Sequence, residues 1–434
     1  MKQGKGYAGP ITHYWGDSVN YIGPASDWRY EGLCLGFLGL YKRTSEKAYL
    51  ERAIECSEFI MQSQLSNGAF LECGFEANPC FGHTYQPHLA ASLIGLLSVA
   101  NALAEEGMDN SRQLAASKKC ATFILKNYFD ERLGCFVQYE NPRAKKVPNP
   151  IVPNKICTIC EAMFLWAEIS GDKVAEEKAL SSMAQVLKFQ ETKKGRFFGG
   201  IYQSNLREKM IVYYTARCVG ALKITHEKTG ERQYLSAAQN AVLFAKRHFT
   251  KNGFEFGYSF KGDKISKHVY PIFGAGAADI LRAILLVEKK IPAKQMDWFL
   301  GMSNGNGAFR NFIGLSHKDT TYAGKAIDTW KDFLPSVGWN DKALRLLAQL
   351  PPLPSGNHLF SDSCEKDFGD VHYFEDKEKI TVSGSQNRVF GKRALFCAPF
   401  SGLKELVYAS TSNFPLAPMR LLGSRMLRKL GELR

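Results

Sequence analysis

Along the first 350 residues, apolar positions recur at three- and four-residue spacing rather than in alternation, so the chain reads as a succession of helices. Two kinds of helix take turns. One kind is rich in Gly, Ala and apolar residues, as in EGLCLGFLGLY and FGAGAADILRAILL, and suits a helix covered on most sides. These helices are expected at 28–41, 87–104, 154–169, 210–226, 269–287 and 323–333. The other kind is amphipathic and ends in a repeated phrase: a polar turn with glycine, then an aromatic. AIECSEFIMQSQLSNGAF, ASKKCATFILKNYFDERLGCF, AQVLKFQETKKGRFFGGIY, AAQNAVLFAKRHFTKNGFEFGY and WFLGMSNGNGAFRNF are its five copies. Their marker glycines are Gly68, Gly134, Gly195, Gly253 and Gly307. A glycine there supplies a positive φ that stops the helix, and the aromatic folds back onto the helix end.

Turns from the first kind to the second are short and polar (KRTSEKAYL, SGDKVAEEKAL, HEKTGERQYL), whereas the returns are long and aromatic. Residues 341–350 read as a short sixth helix of the second kind. Six hairpins of this form close into an all-α, (α/α)6 toroid, with the apolar helices inside and the amphipathic ones outside. An open solenoid would instead need polar capping ends. The toroid is expected over 1–350. A break at Pro351-Pro352-Leu353-Pro354 opens a C-terminal extension, 351–434. Within it, 379–400 alternates enough for a short β-hairpin packed on the toroid. RLLGSRMLRKLGELR, 420–434, is a basic amphipathic helix suited to docking on its own domain or to peripheral membrane contact.

The phrases TGERQYLSAAQNAVLF and SEKAYLERAIECSEFI resemble the outer-helix openings of the six-hairpin glycosidase-like superfamily. That resemblance covers roughly 20–350 and implies glycoside hydrolases, uronyl hydrolases, sugar epimerases and lyases. The helix-end phrase also resembles the Gln-Trp repeat of terpene cyclases and protein prenyltransferases, closest at Gln64 to Phe70. No Asp-Asp pair occurs in the chain, so the acidic motifs of those isoprenoid enzymes are missing. A non-catalytic toroidal scaffold is the third reading.

Composition narrows the rest. The chain has 45% apolar residues and a formal charge of +14. These are globular values with a lean toward anionic partners. No zinc finger, RNA-binding sheet motif or phosphate loop is present, so nucleic acid is not expected. The longest apolar stretch, 87–104, is interrupted by His88, Ser92, Ser98 and Asn101, as suits a buried helix better than a membrane span. Eleven cysteines, several inside apolar helical patterns, point to a reducing, cytoplasmic setting. Cys157 and Cys160, with Cys73, Cys80 and His83 on a preceding return, allow a zinc site as in lanthionine-forming toroids. One CxxC without a matched second pair favours core cysteines instead, so no metal or cofactor is expected.

In a closed ring the inner helices all run one way, and their amino ends meet on one rim that attracts anions. The residues expected to bind an anionic small molecule or oligosaccharide there are Trp28, Arg29, His83, Tyr85, Lys155, Arg207, Tyr213, His268, Tyr270, His317 and Lys325. Glycosidic chemistry needs carboxyl groups of separated acidity. Asp27 and Glu31 share a face at the start of the first inner helix, and Asp279 lies in the apolar fifth. These three are the candidate catalytic carboxylates. Asp27 also suits a helix N-cap, and Asp279 a bond to Arg282.

Overall fold

The computed structural model describes residues 2–3, 6–7, 9–12, 19–22, 28–71, 86–138, 151–303, 308–314, 321–322, 325–326, 337–350, 372–376 and 379–383. Helices dominate them. Hairpins join α1 (Arg29–Thr44) to α2 (Lys47–Gln62), α3 (Gln86–Glu105) to α4 (Ser111–Tyr128), and α5 (Pro153–Ser170) to α6 (Lys173–Leu187). A broken inner helix, α7 (Val212–Arg217) and α8 (Val219–Thr229), is followed by α9 (Arg232–Arg247). Then come α10 (Gly274–Glu288), α11 (Ala293–Leu300) and α12 (Val337–Ala348).

The inner turns end as their sequences dictate. Gly171 and Gly230 take left-handed caps after α5 and α8, and Asp172 caps α6 by accepting from Ala175 N at 3.1 Å. The inner helices pack side by side in the order α1, α3, α5, α7–α8, α10, α12, and α12 returns to α1. The ring is therefore closed, with α2, α4, α6, α9 and α11 outside it. On α9 the buried residues Tyr234, Ala237, Ala238, Ala241, Val242 and Ala245 follow the helical period, and the opposite face meets water.

Closure differs from the sequence expectation in one respect. The helix at 337–348 is an inner helix, the sixth, and not an outer one. The place expected for the sixth inner helix, 323–333, begins with strand: Thr321–Tyr322 pairs with Lys325–Ala326. The cause lies in α1, where Gly32, Gly36 and Gly39 form a groove of bare backbone. A Cβ on Gly36 would stand 2.6 Å from Leu344 Cγ, and one on Gly39 2.9 Å from Ala348 Cβ. Gly32, Gly36 and Gly39 meet Asp341, Leu344 and Ala348 in that order, so α12 lies parallel to α1 and nearly touches its backbone. Contacts of Trp28 with His88 and of Cys34 with Gly95 set α3 parallel to α1 in the same way.

The first four copies of the repeated phrase are joints between consecutive outer helices, and the fifth follows α11. Each forms a small antiparallel bridge: Gln64 with Phe70, Phe129–Asp130 with Cys135–Phe136, Gln190 with Ile201, Phe249–Thr250 with Gly253–Phe254, and Ser303 with Phe309. Gln64 Nε2 donates to Gly68 O at 3.1 Å and to Ala116 O of α4 at 2.9 Å. Gln190 repeats this with Gly199 O at 3.0 Å and Ala237 O of α9 at 2.9 Å. The aromatics fold back as expected; the Phe249 and Phe254 rings lie 4.9 Å apart.

In the third copy the working glycine is Gly199 rather than Gly195. Gly195 faces open space, whereas Gly199 (φ +87°) presses its Cα onto the carbonyl of Asn240. We expect Gly199→Ala to cost about 2–3 kcal/mol, from left-handed strain plus a backbone clash. Gly230→Ala shares the positive φ (+72°) without a neighbour and should cost about 1 kcal/mol. Urea unfolding of the two variants checks the difference.

Two returns carry sheet. Lys209–Ile211, Gly257–Lys261 and Lys264–His268 make an antiparallel three-stranded sheet with Tyr258 opposite both Met210 and Lys267. This sheet leads into the starts of α7 and α10. In the C-terminal extension Lys379–Ser383 pairs with His372–Asp376 in a short antiparallel hairpin, and 384–400 lies outside the described residues. The expected helix at 420–434 lies outside the described residues.

Candidate functional site

Ring closure brings charges from five inner helices to one place. Glu31 stands in the first turn of α1 and Glu161 lies two turns into α5. Arg217 ends α7, Asp279 and Arg282 belong to α10, and Asp341, Lys342 and Arg345 belong to α12. Arg217 is the hub. Its Nη2 donates to Glu31 Oε1 at 2.8 Å, and its Nη1 donates to Glu161 Oε2 at 2.9 Å and Oε1 at 3.2 Å. Arg345 Nη1 also donates to Glu31 Oε1. Lys342 Nζ donates to Asp341 Oδ2 at 2.8 Å and to Trp28 O at 3.1 Å, and lies 3.8 Å from Glu31 Oε2. Arg282 Nε is 4.0 Å from Asp279 Oδ1.

These groups are almost wholly out of water: Glu31 is 1% exposed, and Glu161, Arg217, Arg282, Arg345 and Lys342 are all buried. Burial by itself would raise the pKa of the Glu31 carboxyl. The guanidinium groups of Arg217 and Arg345, with the Lys342 ammonium, outweigh it and hold Glu31 well below the usual carboxylate range. Burial likewise opposes the charge on Arg217, but Glu161 and Glu31 more than offset it. For Arg282 the balance runs the other way. Burial comes first, then repulsion from Arg345 and Arg217, and together they bring it down to about 10. Glu31 is therefore a fixed anion that orients cations. Asp279, whose nearest cation is the more distant Arg282, is a carboxylate at the edge of the cluster.

Above the cluster lies the amino-terminal rim. Trp28 stacks on His88 with ring centroids 4.5 Å apart, and its backbone N donates to His88 Nδ1 at 3.3 Å. Arg29 is buried beside it. Tyr213 opens α7 and sits against Gly276 of α10, within a group that includes Phe256 and Phe273. Lys155 lies in the first turn of α5. His268 is on the exposed outer strand, 2.8 Å from Ser259 Oγ, and Tyr270 follows just before α10. Arg207 is at the periphery, where its Nη2 donates to Lys188 O at 2.9 Å. Lys325 lies in its two-residue strand. Asp27, His83, Tyr85 and His317 lie outside the described residues.

The sequence reading did not single out Arg217, Asp341, Lys342 or Arg345. Arg217 has a local signal, a lone cation in the apolar run IVYYTARCVGALKI. The α12 charges have none, because a helix with DKALRLLAQL looks solvent-facing until its partner is known.

Cys157 and Cys160 face different neighbours. Cys157 meets Cys218, and Cys160 Sγ lies 3.6 Å from Ala179 O. Burial pushes both thiols up. The seven described cysteines are free and buried, and no set of three or more His, Cys, Asp or Glu residues suited to a metal ion occurs among the described residues.

With a closed ring of inner helices wrapped by outer ones, the chain has an (α/α)6 toroid fold. Solved structures agree. A cellobiose 2-epimerase from Bacillus thermoamylovorans superposes with a TM-score of 0.57 at 13% identity, over 80% of this chain and 92% of that one. A sugar epimerase from a ruminal bacterium gives 0.54 at 12% identity, over 80% and 92%. An unsaturated glucuronyl hydrolase specific for heparin gives 0.52 at 12% identity, over 80% and 91%. No family model and no curated protein sequence matches the chain.

Proposed function

We propose that the chain is a carbohydrate-active enzyme that acts on an acidic saccharide at the amino-terminal rim of its inner ring. One observation carries the reading: Arg217, Arg282, Arg345 and Lys342 are buried where five inner helices meet, with Asp279 4.0 Å from Arg282 and the Trp28 carbonyl on Lys342. Aromatic faces suit sugar rings, and a buried guanidinium with a free donor suits a carboxylate. The enzymes of similar fold act on cellobiose, on a sugar and on heparin-derived uronides by their names, which supports the substrate class. An isoprenoid would need a dry apolar centre, the opposite of this one.

Hydrolysis, elimination and epimerisation all need a proton moved at the sugar. In our reading Asp279 exchanges it, with Asp27 as the second carboxyl group, and Glu31 keeps the arginines charged and aimed. Trp28, Arg29, Lys155, Tyr213, Tyr270 and His268 line the approach. The free, buried cysteines are in keeping with a reducing compartment. Screening uronate-containing oligosaccharides should reveal turnover by the wild type. Asp279→Asn should lower kcat by about a hundredfold or more, the usual contribution of a positioned acid or base, with KM little changed. Full turnover by Asp279→Asn would remove that residue from the mechanism.

A further inference from the structure

Arg282 stands out among the charges of the ring. Each other cation in the cluster donates a hydrogen bond to a carboxylate: Arg217 to Glu31 and Glu161, Arg345 to Glu31, Lys342 to Asp341. Arg282 is 6% exposed, yet its Nε has no hydrogen-bond partner. Its only ion pair among the described residues is the 4.0 Å approach to Asp279, too long for a hydrogen bond. Arg345 Nε, equally buried, also lacks an acceptor. Five donors in a rigid fork match an oxyanion in two-point fashion. Burying a guanidinium Nε with nothing to receive its hydrogen is costly and calls for a missing acceptor.

Neighbouring charge favours the same acceptor. Arg217 and Arg345 face Arg282 from α7 and α12, while Asp279, Glu161 and Glu31 are acids within electrostatic reach. Glu161 already receives both bonds from Arg217 Nη1. Burial, and after it repulsion from the Arg345 and Arg217 guanidinium groups, depresses the Arg282 pKa, and an anion bound to Arg282 would relieve that repulsion.

We propose that Arg282 is the anion-receiving residue of the ring, binding one oxyanion through its unused guanidinium edge with help from Arg217 and Arg345. The oxyanion is the carboxylate of a uronic acid unit, an identification that rests on the function proposed above. A free inorganic anion has the same chemistry and is the competing source. Asp279, 4.0 Å from Arg282 Nε, then lies next to the bound acidic sugar.

Calorimetric titration at low ionic strength separates the possibilities. The probes are sodium sulfate, methyl glucuronide and methyl glucoside, each against the wild type, Arg282→Met and Arg282→Lys. The wild type should bind methyl glucuronide at least tenfold more tightly than methyl glucoside, and sulfate should compete with it. Arg282→Met should lose that preference and the competition while keeping its weak affinity for the glucoside; Arg282→Lys should recover part of both. Sulfate binding that vanishes in Arg282→Met, without binding of either sugar to the wild type, would uphold the anion site and sink the saccharide reading. Turnover of a saccharide by a wild type that binds sulfate and glucuronide no better than glucoside would do the reverse. Should Arg282→Met not fold, the wild-type and Arg282→Lys titrations still decide: absent sulfate binding, or full glucuronide preference with no response to the lysine, overturns the proposal.

Discussion

Arg217→Leu should destabilise the protein by about 3–5 kcal/mol, the usual cost of stripping one partner from a buried ion pair. Arg217 is the ion partner of Glu161 and one of three cations on Glu31, so its loss leaves carboxylates in the ring with too little countercharge. Combining it with Glu161→Gln should recover much of the loss, because an uncharged amide is far cheaper to bury than a lone carboxylate. Urea midpoints of the single and double variants measure both effects. The pH dependence has a definite sign. In the wild type the folded Glu31 carboxyl is held well below its ordinary value of 4.5, so the unfolded chain binds its proton first. The stability that Glu31 contributes is therefore complete above about pH 5 and drains away as pH falls.

Gly36→Leu should cost about 3 kcal/mol and open the ring. In an exposed helix interior, replacing glycine helps by up to about 1 kcal/mol. Here the new Cβ would lie 2.6 Å from Leu344 Cγ and 3.4 Å from the Arg345 backbone N, so α12 must move away from α1. Lys342 and Arg345 would then withdraw from Glu31, and activity should fall together with stability. Gly36→Ala with Leu344→Ala removes the obstructing branch and should come closer to the wild type than Gly36→Ala alone. Thermal unfolding of these variants measures the coupling. Equal stability of wild type and Gly36→Leu would mean that α12 does not close the ring.

The glycine groove and the repeated phrase explain why the toroid is legible in the sequence. Five copies of one phrase, four of them placing a glycine (Gly68, Gly134, Gly199 and Gly253) against the next outer helix, impose a period that survives without any view of the partners. Two features were not legible, for a common reason. Helix α12 buries Asp341, Lys342 and Arg345, so its inward face carries the pattern of a solvated one and the helix reads as an outer one. Glu31 meets Arg345 across 314 residues, a pairing with no local trace. Glu31 stands on the first turn of α1, where the sequence places it. Three cations from α7 and α12 make it a fixed charge. In the third joint, two glycines are equally good turn residues, and only the approach to Asn240 distinguishes Gly199.

The most direct test is a crystal structure of Asp279→Asn soaked with a uronic acid oligosaccharide. We expect the sugar to enter at the rim beside Trp28, with its carboxylate on Arg282 and the residue 279 amide within about 3 Å of a reacting position. A saccharide bound at the opposite rim, where the inner helices end, or on the outer surface away from the arginines, would contradict the account.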